Sequence, residues 1–316
     1  MKKLAALMLS LILALTATST LAEETVFRIG IAQFAEHGSL DNCRSGFLEG
    51  LRQKGFVEGE NLSVDFQNAQ ADMGIAATIA SNFVANGLDM ICAIATPMAV
   101  CAFNAAEDNI PVIFTAVSAP KESGLSEGNI TGTSDQLPVE KQLATIRAML
   151  PDAKNIGILF TVGEANSQVQ LAMYKQLAPQ YGFSIVESGI TAGQDIALAL
   201  PQLLPQVDCL TMLTDNTVVQ YLDVVLDATD KAGTPVFGSE VEQVALGCVA
   251  AEGLDYFELG VQTGHMAARV LRGESAADIP FETILESALY VNTDACEELG
   301  IEIPEDLMAR ATDMAA

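Results

Sequence analysis

The chain has 316 residues, half of them apolar, which is enough for two domains that each bury a hydrophobic core. It contains 15 basic and 41 acidic residues, and its formal net charge is −26. Nucleic acid and anionic membrane surfaces repel a chain of this charge, so the composition excludes both as partners.

Residues 1–22 have the three-part pattern of a secretory signal peptide. Lys2 and Lys3 form a positive start, residues 4–15 form an apolar run, and small residues precede a cleavage site after Ala22. The run is too short to span a membrane, which takes about 20 apolar residues. No cysteine lies near the cleavage site, so we expect no lipid anchor. We predict a soluble, exported protein. Cleavage removes two lysines and no acidic residue, so the net charge changes from −26 to −28.

The first part of the mature chain alternates between strand-like and helical patterns. The run 88–95 is almost continuously apolar, which suits a parallel sheet covered on both faces. Thr96 is predicted to cap the next helix and Pro97 to be its first residue. The alternation is typical of a doubly wound open sheet. Strands are predicted at 27–33, 62–66, 88–95, 110–117 and 130–133, and helices at 40–54, 75–85 and 97–106.

The stretch 129–143 separates this round of elements from a second one of the same kind. We interpret it as a crossover between two α/β lobes, with Ser134 and Asp135 close to the cleft between them. Pro138 within it fits the first turn of a helix. In the second round, strands are predicted at 156–161, 184–187, 209–213, 235–237, 248–250 and 289–292, and helices at 165–181, 195–204, 217–232, 256–271 and in a charged tail that reaches Arg310.

Motifs for metal, nucleotide or hydrolytic chemistry are missing from the sequence. It has only two histidines, and no zinc, calcium, P-loop, dinucleotide or G-x-S-x-G motif. We therefore expect no metal and no cofactor, and an enzyme is disfavoured. His265 is interpreted as structural. His37 follows the first strand, and ligand contact and shaping of the loop are equally good interpretations of it.

The six cysteines permit disulfides, because their number is even and the protein is predicted to be exported. None has CxxC spacing, and Cys92, Cys209 and Cys248 lie in apolar runs where cysteine behaves as a small hydrophobic residue. Buried thiols are therefore favoured. Cys43 and Cys101 both fall near helix starts, and a disulfide between them stays open.

Polar residues gather where the predicted strands end, and ligands of open α/β sheets bind outside these carboxyl ends. The set is rich in hydroxyl, amide and carboxyl groups, and Phe34 adds an apolar surface. The candidate ligand-binding residues are Gln33, Phe34, His37, Thr96, Pro97, Ser118, Ser134, Asp135, Glu164, Asn166, Ser167, Asp215, Asn216 and Glu240.

These candidates predict a zwitterionic ligand, which means an amino acid. Thr96 and Ser167 lie at helix N-termini, where free N–H groups and the helix dipole favour an anion. Asp215 and Glu240 are acids that can hold an ammonium group. We expect Asp215→Ala to abolish binding and leave the fold intact. As alternatives, the polar residues are ordinary helix caps and Glu240 is a solvated loop acid.

Several segments resemble the periplasmic substrate-binding proteins of ABC transporters, in particular the type I group that includes tryptophan- and other aromatic amino-acid-binding proteins. The resemblance extends over essentially the whole mature chain, with the segments in the same order. They are GIAQFAEH at 30–37, DFQNAQ at 65–70, AIATP at 93–97, TGTSD at 131–135, GEANS at 163–167, TDNTV at 214–218 and YFELGVQTG at 256–264.

The resemblance implies two Rossmann-like lobes with doubly wound parallel sheets joined by three crossovers, the type I periplasmic binding protein fold. The N-terminal lobe would comprise 23–134 and 252–280, and the C-terminal lobe 135–251 and 281–316. The ligand would lie in the cleft, and the lobes would close about a hinge near 132–134. Many relatives carry a lipobox cysteine and this chain does not, which favours a free periplasmic protein.

The resemblance also implies a small-molecule ligand delivered by a monomer to an ABC permease in the inner membrane. Aromatic amino acids such as tryptophan come first, with Phe34, Phe160 and Tyr256 as candidates for an apolar slot. A sensory binding protein with the same cleft remains an alternative. So does a sugar-binding protein, although it would require an arginine and the strand-end segments contain none. An enzyme on this scaffold would need a nucleophile or an acid–base pair.

Overall fold

The computed structural model describes residues 26–284 and 286–315, and the predicted signal peptide with its cleavage site lies outside these ranges. The described chain forms two α/β lobes, each with its own sheet and hydrophobic core. Within these ranges no helix has both the length and the apolar character needed to cross a membrane.

The first lobe contains a parallel sheet in the order β11–β5–β4–β3–β1–β2. Its strands are β1 (Phe27–Gln33), β2 (Leu62–Asn68), β3 (Met90–Ile94), β4 (Val112–Thr115), β5 (Ile130–Ser134) and β11 (Glu282–Thr283). Every residue of β3 and β4 is buried, because helices cover both faces. The helices are α1 (Gly38–Gln53), α2 (Met73–Ala85), α3 (Thr96–Ala106) and α10 (Tyr256–Leu271).

The second lobe contains a sheet in the order β13–β12–β10–β9–β8–β6–β7, in which only the β10–β12 pair is antiparallel. Its strands are β6 (Asn155–Thr161), β7 (Ser184–Ile190), β8 (Cys209–Thr211), β9 (Val236–Gly238), β10 (Ala250–Gly253), β12 (Ala288–Val291) and β13 (Ala311–Asp313). Its helices are α4 (Val139–Met149), α5 (Ala165–Leu177), α6 (Ile196–Leu203), α7 (Asn216–Gln220), α8 (Leu222–Ala232), α9 (Val241–Ala245), α11 (Thr293–Glu298) and α12 (Glu305–Met308).

The chain passes between the two sheets three times: after β5, between β10 and α10, and between β11 and β12. The predicted fold class, two doubly wound lobes joined by three crossovers, is confirmed. Two lobe boundaries differ from the prediction. The second lobe extends to Gly253, the last residue of β10, and not to 251. The first lobe extends to Thr283 and not to 280, because β11 pairs with β5.

Four glycines bring the start of α1 next to the start of α10. Gly46 and Gly50 of α1 face Gly260 and Gly264 of α10, and a Cβ at any of these positions would overlap the backbone of the facing helix. Only glycine permits this approach. The backbone contact of the two helices holds the loop at His37 beside the first turn of α10, at the edge of the first lobe that faces the second.

Some predicted elements differ in the structure. The helix predicted at 217–232 is interrupted at Tyr221 and forms α7 and α8, and the predicted tail helix is two short helices followed by β13. β11 and β13 are too short to give a periodic pattern. Thr96 does not cap α3: the N-cap residue is Ala95, and Thr96 lies inside the first turn.

The six cysteines are free thiols, so the Cys43–Cys101 disulfide does not form. Cys43 is fully buried, and its Sγ lies 2.9 Å from Thr115 Oγ1. Burial raises the pKa of the Cys43 thiol to about 12, which keeps it protonated. Five of the six cysteines are buried and Cys101 is half-buried, which agrees for those five with the interpretation that they are small buried residues.

Candidate functional site

A small cavity lies between the two lobes, at the carboxyl ends of their strands. The two lobes meet directly beside it, because Ser118 Oγ of the first lobe lies 3.0 Å from Thr214 Oγ1 of the second. The cavity is lined by His37, Leu40, Thr96, Ala116, Ser118, Asp135, Asn166, Thr214, Asn216, Glu240 and Tyr256.

Four of these side chains have buried polar atoms without a hydrogen-bond partner. They are both ring nitrogens of His37, Oγ1 of Thr96, Oδ1 of Asp135 and Oδ1 of Asn166. Buried polar atoms in proteins are nearly always hydrogen-bonded, because burying them unpaired costs free energy. Their convergence on one cavity indicates the position of a polar ligand.

Asp135 is the acid that is best placed to hold a positive group. It follows β5 directly, at the first crossover, and is 2% exposed. Tyr256 donates a 2.8 Å hydrogen bond from its hydroxyl to Oδ2, and Oδ1 is unpartnered. Burial raises the pKa of Asp135 to about 6. A ligand cation beside Oδ1 would restore the ionised form, since an opposite charge favours it.

Thr96 and the first turn of α3 form the anion-favouring side of the cavity. The first backbone N–H groups of a helix have no partner within the helix, and the helix dipole adds partial positive charge there. Ala95 precedes this turn with φ 79° and ψ 152°, a conformation that non-glycine residues rarely adopt. The backbone is therefore strained where it directs α3 towards the cavity.

His37 supplies a neutral donor and acceptor. Burial lowers the pKa of its imidazole to about 4, so the ring is uncharged at neutral pH. A neutral imidazole donates from one nitrogen and accepts at the other. His37 lines the cavity from the loop position predicted from the sequence, and ligand contact by this residue stays a prediction.

Asp215 does not face the cavity, contrary to the prediction that it holds an ammonium group. It is fully buried and accepts four hydrogen bonds of 2.5–2.9 Å, from the N–H and hydroxyl of Thr161, the hydroxyl of Ser167 and the N–H of Val218. It is the N-cap of α7. The alternative interpretation of Asp215 as a helix cap is the one that the structure supports, and Ser167 is its partner.

Glu164 is also occupied by protein groups. It accepts hydrogen bonds from Asn166, from the N–H and amide of Asn216, and from the N–H and hydroxyl of Thr217. Burial and the neighbouring Asp215 raise its pKa. This network ties α5 to α7 and orients Asn166 and Asn216 towards the cavity, so Glu164 positions cavity residues and does not line the cavity itself.

Four further predicted site residues lie away from this cavity. Gln33 bonds to Ala35, Asp41 and Arg44. Phe34 lines an open groove on one side of the cleft and Ser134 lines another groove on the opposite side. Pro97 is buried in the first turn of α3.

The structure adds Leu40, Ala116 and Thr214 to the cavity wall, and Tyr256, a candidate for an apolar slot in the sequence analysis, also lines it. Thr214 directly precedes a predicted site residue, so its position could have suggested it. Leu40 and Ala116 give no sequence signal, because they are ordinary apolar residues. Phe160, a candidate for an apolar slot, lies in the second-lobe core. In the described ranges no group of three or more His, Cys, Asp or Glu residues is arranged to hold a metal.

Comparison with known proteins gives consistent matches over the chain. The family model described as ABC transporter substrate binding protein matches residues 28–315. The tyrosine-binding protein of Clostridioides difficile strain R20291 is 38% identical over 280 residues, which are 87% of this chain and 81% of that protein. The structure of an ABC domain in complex with L-Trp from Streptococcus pneumonia is 31% identical with a TM-score of 0.89, and the match covers 92% of this chain and 99% of that one.

Another similar structure is described as open. The ligand-free, open structure of a substrate-binding protein with adhesive properties from Clostridium difficile is 38% identical, and the match covers 91% of this chain and 99% of that one. Its TM-score is only 0.67, although its sequence is closer than that of the L-Trp complex. The lobes here are in direct contact beside the cavity, through Ser118 and Thr214, and we call this arrangement closed.

Proposed function

Because the chain belongs to the family of ABC transporter substrate-binding proteins, we propose that its cavity captures a free amino acid for delivery to an ABC permease. Proteins of this family act outside the cytoplasm on small-molecule ligands. The two-lobed fold is that of type I periplasmic binding proteins, which more distant solute-binding proteins share. The ligand leaves the cavity chemically unchanged.

The unpartnered polar atoms around the cavity are the observation that carries this proposal. Asp135 Oδ1 and Asn166 Oδ1 are acceptors suited to an ammonium group, and Thr96 Oγ1 with the start of α3 provides donors for a carboxylate. The residues that line the cavity include two acids and neither lysine nor arginine. A ligand without a cationic group would leave the buried Asp135 charge uncompensated, which is costly.

An aromatic amino acid is the ligand class that we place first. One relative is named as a tyrosine-binding protein and another was solved with L-Trp. Leu40, Ala116 and Tyr256 of the cavity wall supply apolar contacts for such a ligand.

We further propose a free monomer in the periplasm, without a lipid anchor. This part of the proposal depends on the sequence features of residues 1–22 and on the lack of a cysteine near Ala22. Mass spectrometry of the exported protein tests it, because cleavage after Ala22 leaves an N-terminal Glu23 without lipid. A lipid-modified or uncleaved N-terminus would contradict it.

Isothermal titration calorimetry of residues 23–316 tests the ligand and the role of Asp135 together. L-tyrosine and L-tryptophan are compared with 3-(4-hydroxyphenyl)propionate, which keeps the ring and the carboxylate of tyrosine but lacks its ammonium group. We expect the amino acids to bind and the analogue to bind at least about 30-fold more weakly, because removing one partner of a buried charge pair costs about 2–5 kcal/mol.

Asp135→Asn separates the charge from the shape of the side chain. We expect it to weaken L-tyrosine binding at least about 30-fold and to remove most of the discrimination against the analogue. Asp152→Asn is the control, because Asp152 is exposed in a turn after α4 and should not affect binding. Equal binding of L-tyrosine and the analogue by the unmodified protein, or no binding of any amino acid, would contradict the proposed function.

A further inference from the structure

A second group of contacts joins the lobes beside the cavity, and ligand binding as proposed does not explain it. Ser39 Oγ, in the first turn of α1, lies 2.6 Å from Glu240 Oε2 and 2.7 Å from Glu242 Oε2 of the second lobe. Asn42 Nδ2 donates to Glu242 Oε1 over 2.7 Å. A Cβ on Gly38 would lie 3.1 Å from Glu242 Cγ, so the lobes are in close contact here. We call Ser39, Asn42, Glu240 and Glu242 the interlobe cluster.

Ser39 Oγ is within hydrogen-bond distance of the carboxyl groups of both Glu240 and Glu242. If both carboxyl groups are ionised, the serine proton is the only one available, and two hydrogen bonds need two protons. A serine hydroxyl has a single proton to donate, and an ionised carboxylate only accepts. Both contacts are hydrogen bonds only if one carboxyl group is protonated and donates to Ser39 Oγ. The serine hydroxyl then donates to the other carboxylate.

Glu240 is better suited than Glu242 to hold this proton. Glu240 is 2% exposed, and Asp135 and Glu242 both place negative charge near it. Glu242 is half-buried, receives a second hydrogen bond from Asn42 and lies against the first turn of α1, where the helix dipole favours an anion. Burial raises the pKa of Glu240 to about 8.

The other titratable groups around Glu240 do not supply a positive charge at neutral pH. His37 Nδ1 lies 3.9 Å from Glu240 Oε2, beyond hydrogen-bond distance, and burial lowers the pKa of His37 to about 4. Burial also raises the pKa values of Tyr256 and Cys248, so both are neutral. Asp135 adds negative charge from the cavity side. Protonation is therefore the way in which Glu240 becomes neutral.

We propose that Glu240 takes up a proton from solvent when the lobes close and donates it to Ser39, so that Glu240, Ser39 and Glu242 position the second lobe on the start of α1. The proposal rests on the proposed function of the same cleft and adds a control of its closure by pH. Opening of the cleft returns the proton to solvent.

The direction of the pH dependence follows from the raised pKa of Glu240 in the closed state. With the cleft open, Glu240 is hydrated and has the ordinary pKa of a glutamate. The stabilisation of the closed state is therefore complete below that ordinary value and is lost as pH rises through about 8. Asp135 acts in the opposite direction: because it must be ionised to hold an ammonium group, binding weakens in acid, where Asp135 is protonated.

Calorimetry of L-tyrosine binding in buffers with different ionisation enthalpies counts the protons taken up on closure. The matched variant is Glu240→Gln, whose amide donates to Ser39 but does not titrate. We expect the unmodified protein to take up about 0.9 proton more than Glu240→Gln at pH 7 and about 0.5 more at pH 8. Titration of Asp135 and of the ligand amine is common to both proteins and cancels. Equal uptake by the two proteins overturns the proposal.

A pair of serine variants on α1 tests the positioning role. Ser39→Ala removes the hydroxyl that links the carboxyl groups, and we expect it to weaken L-tyrosine binding about tenfold at pH 7 and to reduce the pH dependence above pH 7. Ser45→Ala is the control, because the Ser45 hydroxyl is exposed and bonds only within α1. A Ser39→Ala protein with unchanged affinity and an unchanged pH profile contradicts the role of the cluster.

Failure of the proposed function gives a different result from failure of this proposal. If L-tyrosine does not bind at any pH, the ligand assignment is wrong, and infrared difference spectra at pH 7 then test the proton directly in protein whose lobes are held closed by a disulfide between Ser118→Cys and Thr214→Cys, because Ser118 Oγ and Thr214 Oγ1 lie 3.0 Å apart. A band of a protonated carboxylic acid that is absent from Glu240→Gln supports the interlobe cluster. Identical spectra of the two proteins overturn it.

Discussion

Asp135 and Asp215 are both buried at the carboxyl ends of strands, yet they have different roles. Asp215 in the second lobe accepts four hydrogen bonds from protein groups and has none to spare. Asp135 at the first crossover accepts one from Tyr256 and has an unpartnered Oδ1 that lies against the cavity. Residue type and burial are the same in both cases. The number of free hydrogen-bonding positions is what distinguishes a candidate ligand group from a structural one.

The backbone of the two lobes differs in the same way. Ala95 and Ala116 follow β3 and β4 of the first lobe with φ values of 79° and 55°. In the described part of the second lobe no residue other than glycine has a positive φ. Strained backbone is concentrated at functional sites. The first lobe therefore carries most of the unpartnered atoms and the strained residues. In the second lobe, apart from Asn166, the polar side chains at the strand ends bond to other protein groups.

The largest effect that we predict is the loss of stability when Asp215 is changed. Asp215→Asn replaces an acceptor oxygen by an NH₂ group, which is itself a donor. The hydrogen bonds that Thr161 and Ser167 donate to this oxygen are therefore lost. We expect the free energy of unfolding of the ligand-free protein to fall by about 3 kcal/mol, since each buried group left unpaired costs about 1–3 kcal/mol. Urea unfolding followed by circular dichroism measures this change.

The matched variant is Asp135→Asn, which keeps an acceptor for Tyr256 and removes an unpaired buried charge. We expect it to change the free energy of unfolding by less than about 1 kcal/mol. The original expectation, that Asp215→Ala spares the fold and abolishes binding, is thereby reversed. Equal losses of stability in the two asparagine variants would show that the difference between the aspartates is not energetic.

The fold was predictable because hydrophobic periodicity is a local property of the sequence. The strand at 27–33 and the helix at 256–271 have the predicted bounds, since an apolar run and an amphipathic run with clear ends specify them. The interruption at Tyr221 was missed because both halves of the run have helical composition. β11 is recognised only by its pairing with β5, which no local pattern records.

The cavity was predictable only to the level of the sheet edge. A strand-end position indicates that Asp135 and Asp215 lie on the same side of their sheets, but not where each carboxyl group points. That direction depends on tertiary partners such as Tyr256, which is 121 residues away in sequence from Asp135. Ser39, Asn42 and Glu242 were missed for the same reason: their partners belong to the other lobe.

A smaller effect is expected when the unpartnered hydroxyl of Thr96 is removed. Thr96→Val keeps the shape of the side chain, and we expect L-tyrosine binding to weaken about tenfold, because a hydrogen bond to a charged group contributes about 1.5 kcal/mol or more. Stability without ligand should stay within about 0.5 kcal/mol, because no hydrogen bond to protein is lost. Calorimetry and urea unfolding measure the two quantities.

Thr131→Val is the control for Thr96→Val. Thr131 is also buried and its Oγ1 also lacks a partner, but it does not line the cavity. We expect this variant to leave the affinity unchanged. If both variants weakened binding equally, an unpartnered atom would indicate nothing about the ligand position. The free hydrogen-bonding position of Asp135 would then not distinguish it from Asp215.

The smallest effect concerns the strained backbone at Ala95. Glycine adopts φ 79° without steric cost, so Ala95→Gly relieves a backbone strain of about 1–3 kcal/mol. Glycine also has the greater entropy in the unfolded chain, which offsets part of this gain. We therefore expect the free energy of unfolding to rise by about 1 kcal/mol. Binding of L-tyrosine should weaken about two- to threefold, because the start of α3 is less rigidly held.

Glu107→Gly, at φ 44° beyond the other end of α3, should stabilise the protein without changing the affinity. If the two variants had equal effects on affinity, the strain at Ala95 would be incidental to the cavity and not part of how the first lobe presents its unpartnered groups.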